Sequence, residues 1–170
     1  KTNLHREIVI DSIITLHYFE YMKDFVFRGE AHDFWEFLYV DKGTVSVRSD
    51  DRWLTLNTGD VIFHKPNEFH AIKSIGQNAP NLVAISFTSH SEGMKYFENM
   101  SCTLDKSERY LISQIITEAK DTFSTPIHIP SVEQVLLREK TPFASQQLIL
   151  LYLELFLITV HRNHQSIHAL

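Results

Sequence analysis

The chain is poor in several features that usually announce a fold or a chemistry. It has a single cysteine, Cys102, so no internal disulfide is available and a reducing compartment, the cytoplasm, is expected. It has only 5 Gly and 5 Pro among 170 residues, with 44% hydrophobic and 22% charged side chains. That balance excludes a low-complexity or disordered chain and leaves room for one compact domain with its own core. Base is not in surplus: 16 Lys and Arg stand against 21 Asp and Glu, a formal charge of -5, so this sequence is not expected to bind DNA by itself. Long apolar runs are missing as well. The most apolar stretch, Leu148 to Val160, is interrupted by Glu154 and Thr159 and falls short of the roughly 20 residues a bilayer needs, so a buried helix is expected and no membrane partner. No signal-type segment opens the chain, and its first residue is Lys1 rather than Met, which reads as a piece of a longer protein. Neither a Gly-x-Ser-x-Gly elbow nor a glycine-rich phosphate loop occurs, and Cys102 has no activating neighbour in sequence, so nucleophilic catalysis has no support.

What is present up to about Ser89 is a rhythm of short strands: Ile8 to Leu16, Phe34 to Val40, Thr44 to Arg48, Trp53 to Leu56, Val61 to Phe63, His70 to Ser74 and Leu82 to Phe87. Turn-forming clusters such as Asp41-Lys42-Gly43 and Asn57-Thr58-Gly59-Asp60 separate them, the pattern of an antiparallel barrel or sandwich. After Ser91 the period lengthens. Leu111, Ile112, Ile115, Ile116, Ala119 and Phe123 recur at helical spacing, with Asp105 as N-cap and Glu108 as its capping-box partner. Pro126, Pro130 and Pro142 make Ser124 to Phe143 a crossing loop. A second helix runs from Ser145 to about Asn163, with Gln147, Glu154 and His161 as a thin polar stripe, so it needs cover on more than one side. Its own barrel and the first helix supply one side; a homodimer seam is expected to supply the other, with Leu148, Leu151, Tyr152, Leu155 and Ile158 in the packing, the alternative being a core helix covered wholly within its own chain.

The stretch with most chemistry runs from Glu30 to Gly43 and resumes from Gly59 to His70. Strand residues two apart share a face, so Glu30, His32, Phe34, Glu36 and Leu38 all point inward if the first stretch is extended, and His70 approaches from a neighbouring strand. We expect Phe34, Glu36 and His70 to face a cavity with His32 at its rim, and Gly43 and Gly59 to occupy tight turns. His5, His17, His90, His128, His161, His164 and His168 show no shared pattern and are expected mostly at the surface. Phe25, Phe27, Phe34, Trp35, Phe37, Tyr39 and Phe63 are read chiefly as core, with those of inward parity available to line a pocket.

The order and spacing of these residues resemble the two cupin motifs, with His32 at the second His of the first motif, Glu36 at its Glu, Gly43 at its closing Gly, and Gly59-Asp60 with His70 as the second motif. In metal-binding cupins three His and one Glu hold the ion; here Glu30 stands where the first His would be. Three uses of the cluster stay open: an organic effector contacted by some of its members, a divalent ion on His32, Glu36 and His70, or a hydrogen-bonded structural group. No cofactor is expected, with a divalent metal as the lesser alternative.

More narrowly, His32 to Gly43, Pro66-Asn67-Glu68-Phe69-His70 and the apolar run Gln146 to Ile158 resemble the sensor domains of AraC-type regulators over roughly Val26 to Arg162. The resemblance implies a mainly β fold with C-terminal helices, a cupin-type jelly-roll barrel followed by a helical pair. Residues 1–90 would form the effector-binding barrel and residues 91–170 the dimerisation region. It also implies a small-molecule effector, a homodimer, and DNA binding through a helix-turn-helix module that this sequence does not contain; no enzyme activity is expected. The other function weighed is a metal-dependent cupin enzyme of dioxygenase or isomerase type.

Overall fold

The computed structural model describes residues 1–165. Two antiparallel sheets lie under a pair of C-terminal helices, as expected of the barrel-and-helices arrangement. In chain order the strands are β1 (Ser12–Glu20), β2 (Val26–Glu30), β3 (Trp35–Lys42), β4 (Thr44–Ser49), β5 (Arg52–Asn57), β6 (Asp60–His64), β7 (His70–Ser74), β8 (Asn81–Thr88) and β9 (Ser101–Thr103). A five-stranded sheet runs β1-β8-β3-β6-β9 and a four-stranded sheet runs β2-β7-β4-β5, so the chain passes repeatedly from one sheet to the other in jelly-roll fashion. Gly43 and Gly59 hold φ of +97° and +94°, at the turns anticipated for them.

Strand β3 is buried on both faces, which explains its nearly unbroken apolar run. Leu38 and Val40 point between the sheets, where they meet Phe19, Val45, Val47, Leu56, Ile62 and Leu82. Trp35, Phe37 and Tyr39 point the other way, into a larger cluster under the helices α1 (Lys106–Thr122) and α2 (Ser145–Asn163). There Phe156 of α2 sits 5.1 Å from Phe37, ring centre to ring centre. This second core spans both halves of the chain, from Ile8 to Val160.

Helix α1 starts as the sequence requires: the Asp105 side chain accepts from the Glu108 backbone, and the Glu108 carboxylate accepts from the Asp105 backbone at 2.7 Å. Glu108 is fully buried, and its second task is to hold the end of α2, where His164 Nε2 lies 3.0 Å from it. His164 is therefore not a free surface residue, and neither is His161, whose ring lies against Tyr96 at 4.0 Å. His168 lies outside the described residues. The polar stripe of α2 also has internal partners: Glu154 accepts a hydrogen bond from the Ile10 backbone at 2.9 Å.

Three expectations need correction. The first strand begins at Ser12, not Ile8; Ile8 and Ile10 are buried in the helix-side core as an extended lead-in. Strand β2 was not anticipated, because only Phe27 among its side chains packs inward while Val26, Arg28 and Glu30 remain exposed. Strand β9 is three residues long and gives no periodic signal. The segment Ser124 to Phe143 is a crossing loop as expected, strapped to the edge of β1 by Tyr18 N donating to Ile127 O at 2.8 Å and Val135 N donating to Ile14 O at 2.9 Å.

Candidate functional site

Between the two sheets lies a cavity of about 590 Å³. Thr15, His17 and Phe19 of β1, Ala84 and Ser86 of β8, and Glu36 and Leu38 of β3 form one wall. Phe27 and Glu30 of β2, with His70 and Ile72 of β7, form the other, and Pro130 to Glu133 of the crossing loop close one side. All six residues expected at the pocket, Glu30, His32, Phe34, Glu36, Leu38 and His70, line it.

They arrive by a different route from the single extended strand predicted. The chain turns between Glu30 and Trp35, so Glu30 belongs to the four-stranded sheet and Glu36 to the five-stranded one. Glu30 pairs across from His70, just after an irregularity in the β2–β7 register. Gly29 makes that irregularity possible: its φ is +117°, and a Cβ there would stand 2.3 Å from the Phe69 ring. Glu36 is flanked on neighbouring strands by His64 and Ser86. The four polar groups thus converge from both sheets. His70 Nε2 lies 2.8 Å from Glu36 Oε2 and 3.7 Å from Glu30 Oε1. His32 Nε2 lies 3.9 Å from the Glu36 carboxylate and 3.8 Å from that of Glu30. The rim is occupied by Glu30, whose side chain is 51% exposed, rather than by His32 at 13%. His32 is stacked on Phe34, with ring centres 3.8 Å apart.

The charges of this group lock one another. Burial pushes Glu36 up, but the imidazoles of His32 and His70 beside it and the positive charge of His70 outweigh it and hold its carboxyl well below the ordinary range. Burial pushes His70 down, yet the carboxylates of Glu30 and Glu36 raise it to about 10. Beneath, Glu68 is buried against His64 Nδ1, and that hydrogen bond and charge overcome burial and lower the Glu68 carboxyl too. His64 in turn stacks on His70 at 4.4 Å.

Two cavity histidines escaped the sequence reading. His17, expected at the surface, is buried on the inner face of β1, and burial lowers its pKa. His64 lies in a motif quoted for its neighbours, and the signal that finds it is Glu68 four residues on, a buried acid placed to orient an imidazole. His5, His90 and His128 are exposed, as anticipated. Among the aromatics, Trp35, Phe37, Tyr39 and Phe63 are core, while Phe25, Phe27 and Phe34 line the cavity with Phe19 and Tyr21. Cys102 is half-buried, and burial with the nearby charges of Glu108 and Asp60 pushes its thiol up to about 12, which leaves it a poor nucleophile.

A sequence model of the AraC-like ligand-binding domain matches residues 14–136, which takes in both sheets except the first two residues of β1, and the whole of α1. The chain belongs to the AraC-like ligand-binding domain family. No curated protein matches the sequence. Among solved structures, the AraC-like domain is similar to the cupin domain of Schizosaccharomyces pombe Cnp3, with 16% identity and a TM-score of 0.40 over 41% of this chain and 48% of that one. It is similar to a predicted oxalate decarboxylase from Thermotoga maritima, with 18% identity and a TM-score of 0.39 over 41% and 61% of the two chains. It is also similar to an RmlC-like cupin from Shewanella frigidimarina, with 21% identity and a TM-score of 0.38 over 42% and 62%. The AraC-like domain thus spans about half to six-tenths of those chains. The likenesses are partial, and the family assignment rests on the sequence model.

Among the described residues no helix is long and apolar enough to cross a membrane. The five residues expected at a dimer seam share one face of α2: Leu148 and Tyr152 are half-covered, and Leu151, Leu155 and Ile158 are exposed. The opposite face, Ile149, Leu153, Phe156, Leu157 and Val160, is buried in the domain.

Proposed function

We propose that this AraC-like domain is the effector-sensing and dimer-forming part of a bacterial, cytoplasmic transcription regulator. It binds a small molecule in the cavity and is not an enzyme. DNA recognition belongs to a helix-turn-helix module elsewhere in the regulator. The observation that carries the reading is the cavity itself: a space of about 590 Å³ with aromatic walls and a few converging polar groups, the size and character of a small-molecule site. The uncovered apolar face of α2 supports pairing with a second copy, because an exposed stripe of large aliphatic side chains is unusual unless something covers it. Effector binding acts on the dimer only through differential affinity for two states, and the crossing loop, which lines the cavity and connects α1 to α2, is the covalent route between the two regions.

A thermal-shift screen of sugars, fatty acids and aromatic acids tests the sensor reading. One chemical class is expected to raise Tm in a concentration-dependent manner. Ala84→Leu, which adds bulk to the cavity wall, should abolish the rise while leaving the ligand-free protein folded. A rise of equal size in Ala84→Leu would place the binding elsewhere. The second reading, a metal-dependent cupin enzyme, is favoured by the convergence of Glu30, His32, Glu36 and His70, and would require turnover that depends on an ion bound there.

A further inference from the structure

The wall of the cavity is charged in one sense. Three carboxylates line it, Glu30 and Glu36 from opposite sheets and Glu133 from the crossing loop, and among the described residues no Lys or Arg does. The imbalance is local, since the whole chain carries 16 Lys and Arg. A protonated His70, 2.8 Å from Glu36, matches one of the three acids. Glu30 has only the same His70 and His32 near it, at 3.7 and 3.8 Å, beyond hydrogen-bond length. His64 is already engaged by Glu68 beneath the cavity.

Much of the remaining wall is aromatic. Along β1, Thr15 lies level with Glu36 through Ser86, and Phe19 follows four residues further on, so the rings stand toward the other end of the cavity. There Tyr21 lies 4.8 Å from Phe25 with the ring planes at 88°, and 5.8 Å from Phe19 at 58°. Three rings at steep angles form a corner, and aromatic faces carry partial negative charge. Between the acids and this corner stands His17, 7% exposed, whose Nδ1 is buried without a well-formed hydrogen bond. Buried polar atoms normally have a partner, and this one sits on the wall of a space that a ligand fills.

A carboxylate ligand would meet like charges here, with only His70, already beside Glu36, to replace its water. A neutral ligand would leave Glu30 and Glu133 unmatched. An ammonium group carries three donors and no acceptor, the complement of a wall of carboxylate oxygens, and its charge is also favourable against ring faces. We propose that the effector is an organic amine, bound as its ammonium form, with the charged head at Glu30 and Glu36 and the apolar body against Phe19, Tyr21 and Phe25. The inference rests on the sensor reading and adds a class of compound to its screen.

Two matched series test it. Phenethylamine, phenethyl alcohol and hydrocinnamate share one apolar body; hexylamine, hexanol and hexanoate share another. Binding is read by calorimetry and by Tm. At least one amine is expected to bind at a single site per chain, the alcohol of the same body at least about tenfold more weakly, and the acid more weakly still. Glu30→Gln should weaken the amine at least about tenfold, and Ala84→Leu should abolish its binding. Glu20→Gln, at an exposed acid outside the cavity, should leave it unchanged. Circular dichroism and ligand-free Tm check that each variant is folded. An alcohol or acid that binds as tightly as the amine of the same body, full amine affinity in Glu30→Gln, or binding of neither amine overturns the proposal. The sensor reading fails separately. A sugar or an acid whose Tm rise is lost in Ala84→Leu overturns the amine and leaves the sensor standing, whereas no response to any class, amines included, counts against both.

Discussion

His17 was the residue least expected in the cavity, and it carries a measurable consequence. Its imidazole is buried on β1, and burial outweighs the charge of Glu36 and the Val132 backbone to lower its pKa below 6.5. The unfolded chain takes up this proton near pH 6.5, whereas the folded chain takes it up only at lower pH. Stability therefore falls as pH drops below 6.5 toward the folded-state value, and above 6.5 this residue adds no pH dependence. Tm measured across that range should decline more steeply in the unmutated protein than in His17→Gln. Superimposable curves would show that His17 charges without cost. The sequence did not reveal this residue because one histidine in a strand has the same local pattern whichever face it takes; its face follows from the β1–β8 register, a tertiary fact. By contrast, Glu36, Leu38 and His70 were legible, since spacing and strand parity alone place them inward.

At the scale of elements, α1 was the most legible, because capping and amphipathicity are local. Asp105→Ala removes the side chain that accepts from Glu108 N at 2.9 Å, together with its 3.1 Å contact to Asn163. A loss of about 1 kcal/mol is expected, read in chemical denaturation as a lower midpoint with an unchanged slope. A changed slope would mean that α1 unfolds separately from the sheets. Less was legible where an element depends on partners far away in sequence. β2 has its inward pattern cut short by the irregularity at Gly29, and the turn from Ala31 to Phe34 moves Glu30 to the opposite sheet from Glu36. Parity along one strand predicted the convergence of these side chains and misassigned the strands that deliver them.

For the whole molecule, the open question is what covers α2. Leu151 and Leu155 are 48% and 49% exposed on a helix whose other face is fully built into the core. Sedimentation velocity at micromolar concentration is expected to give a dimer, and Leu151→Glu combined with Leu155→Glu a folded monomer. A monomer from the unmutated protein would sink the pairing role. Because neither leucine lines the cavity, the double variant should keep whatever Tm response the effector screen finds.

The strap across β1 has a further effect, apart from sensing. β1 is an outer strand of the five-stranded sheet, and a bare outer strand is a template on which another chain can add. Ile127 O and Val135 N occupy hydrogen-bonding positions on that edge, and the prolines on either side, Pro126 and Pro130, keep the strap from continuing as a regular strand of its own. The loop that joins the two helices thereby closes this edge of the sheet to edge-to-edge assembly.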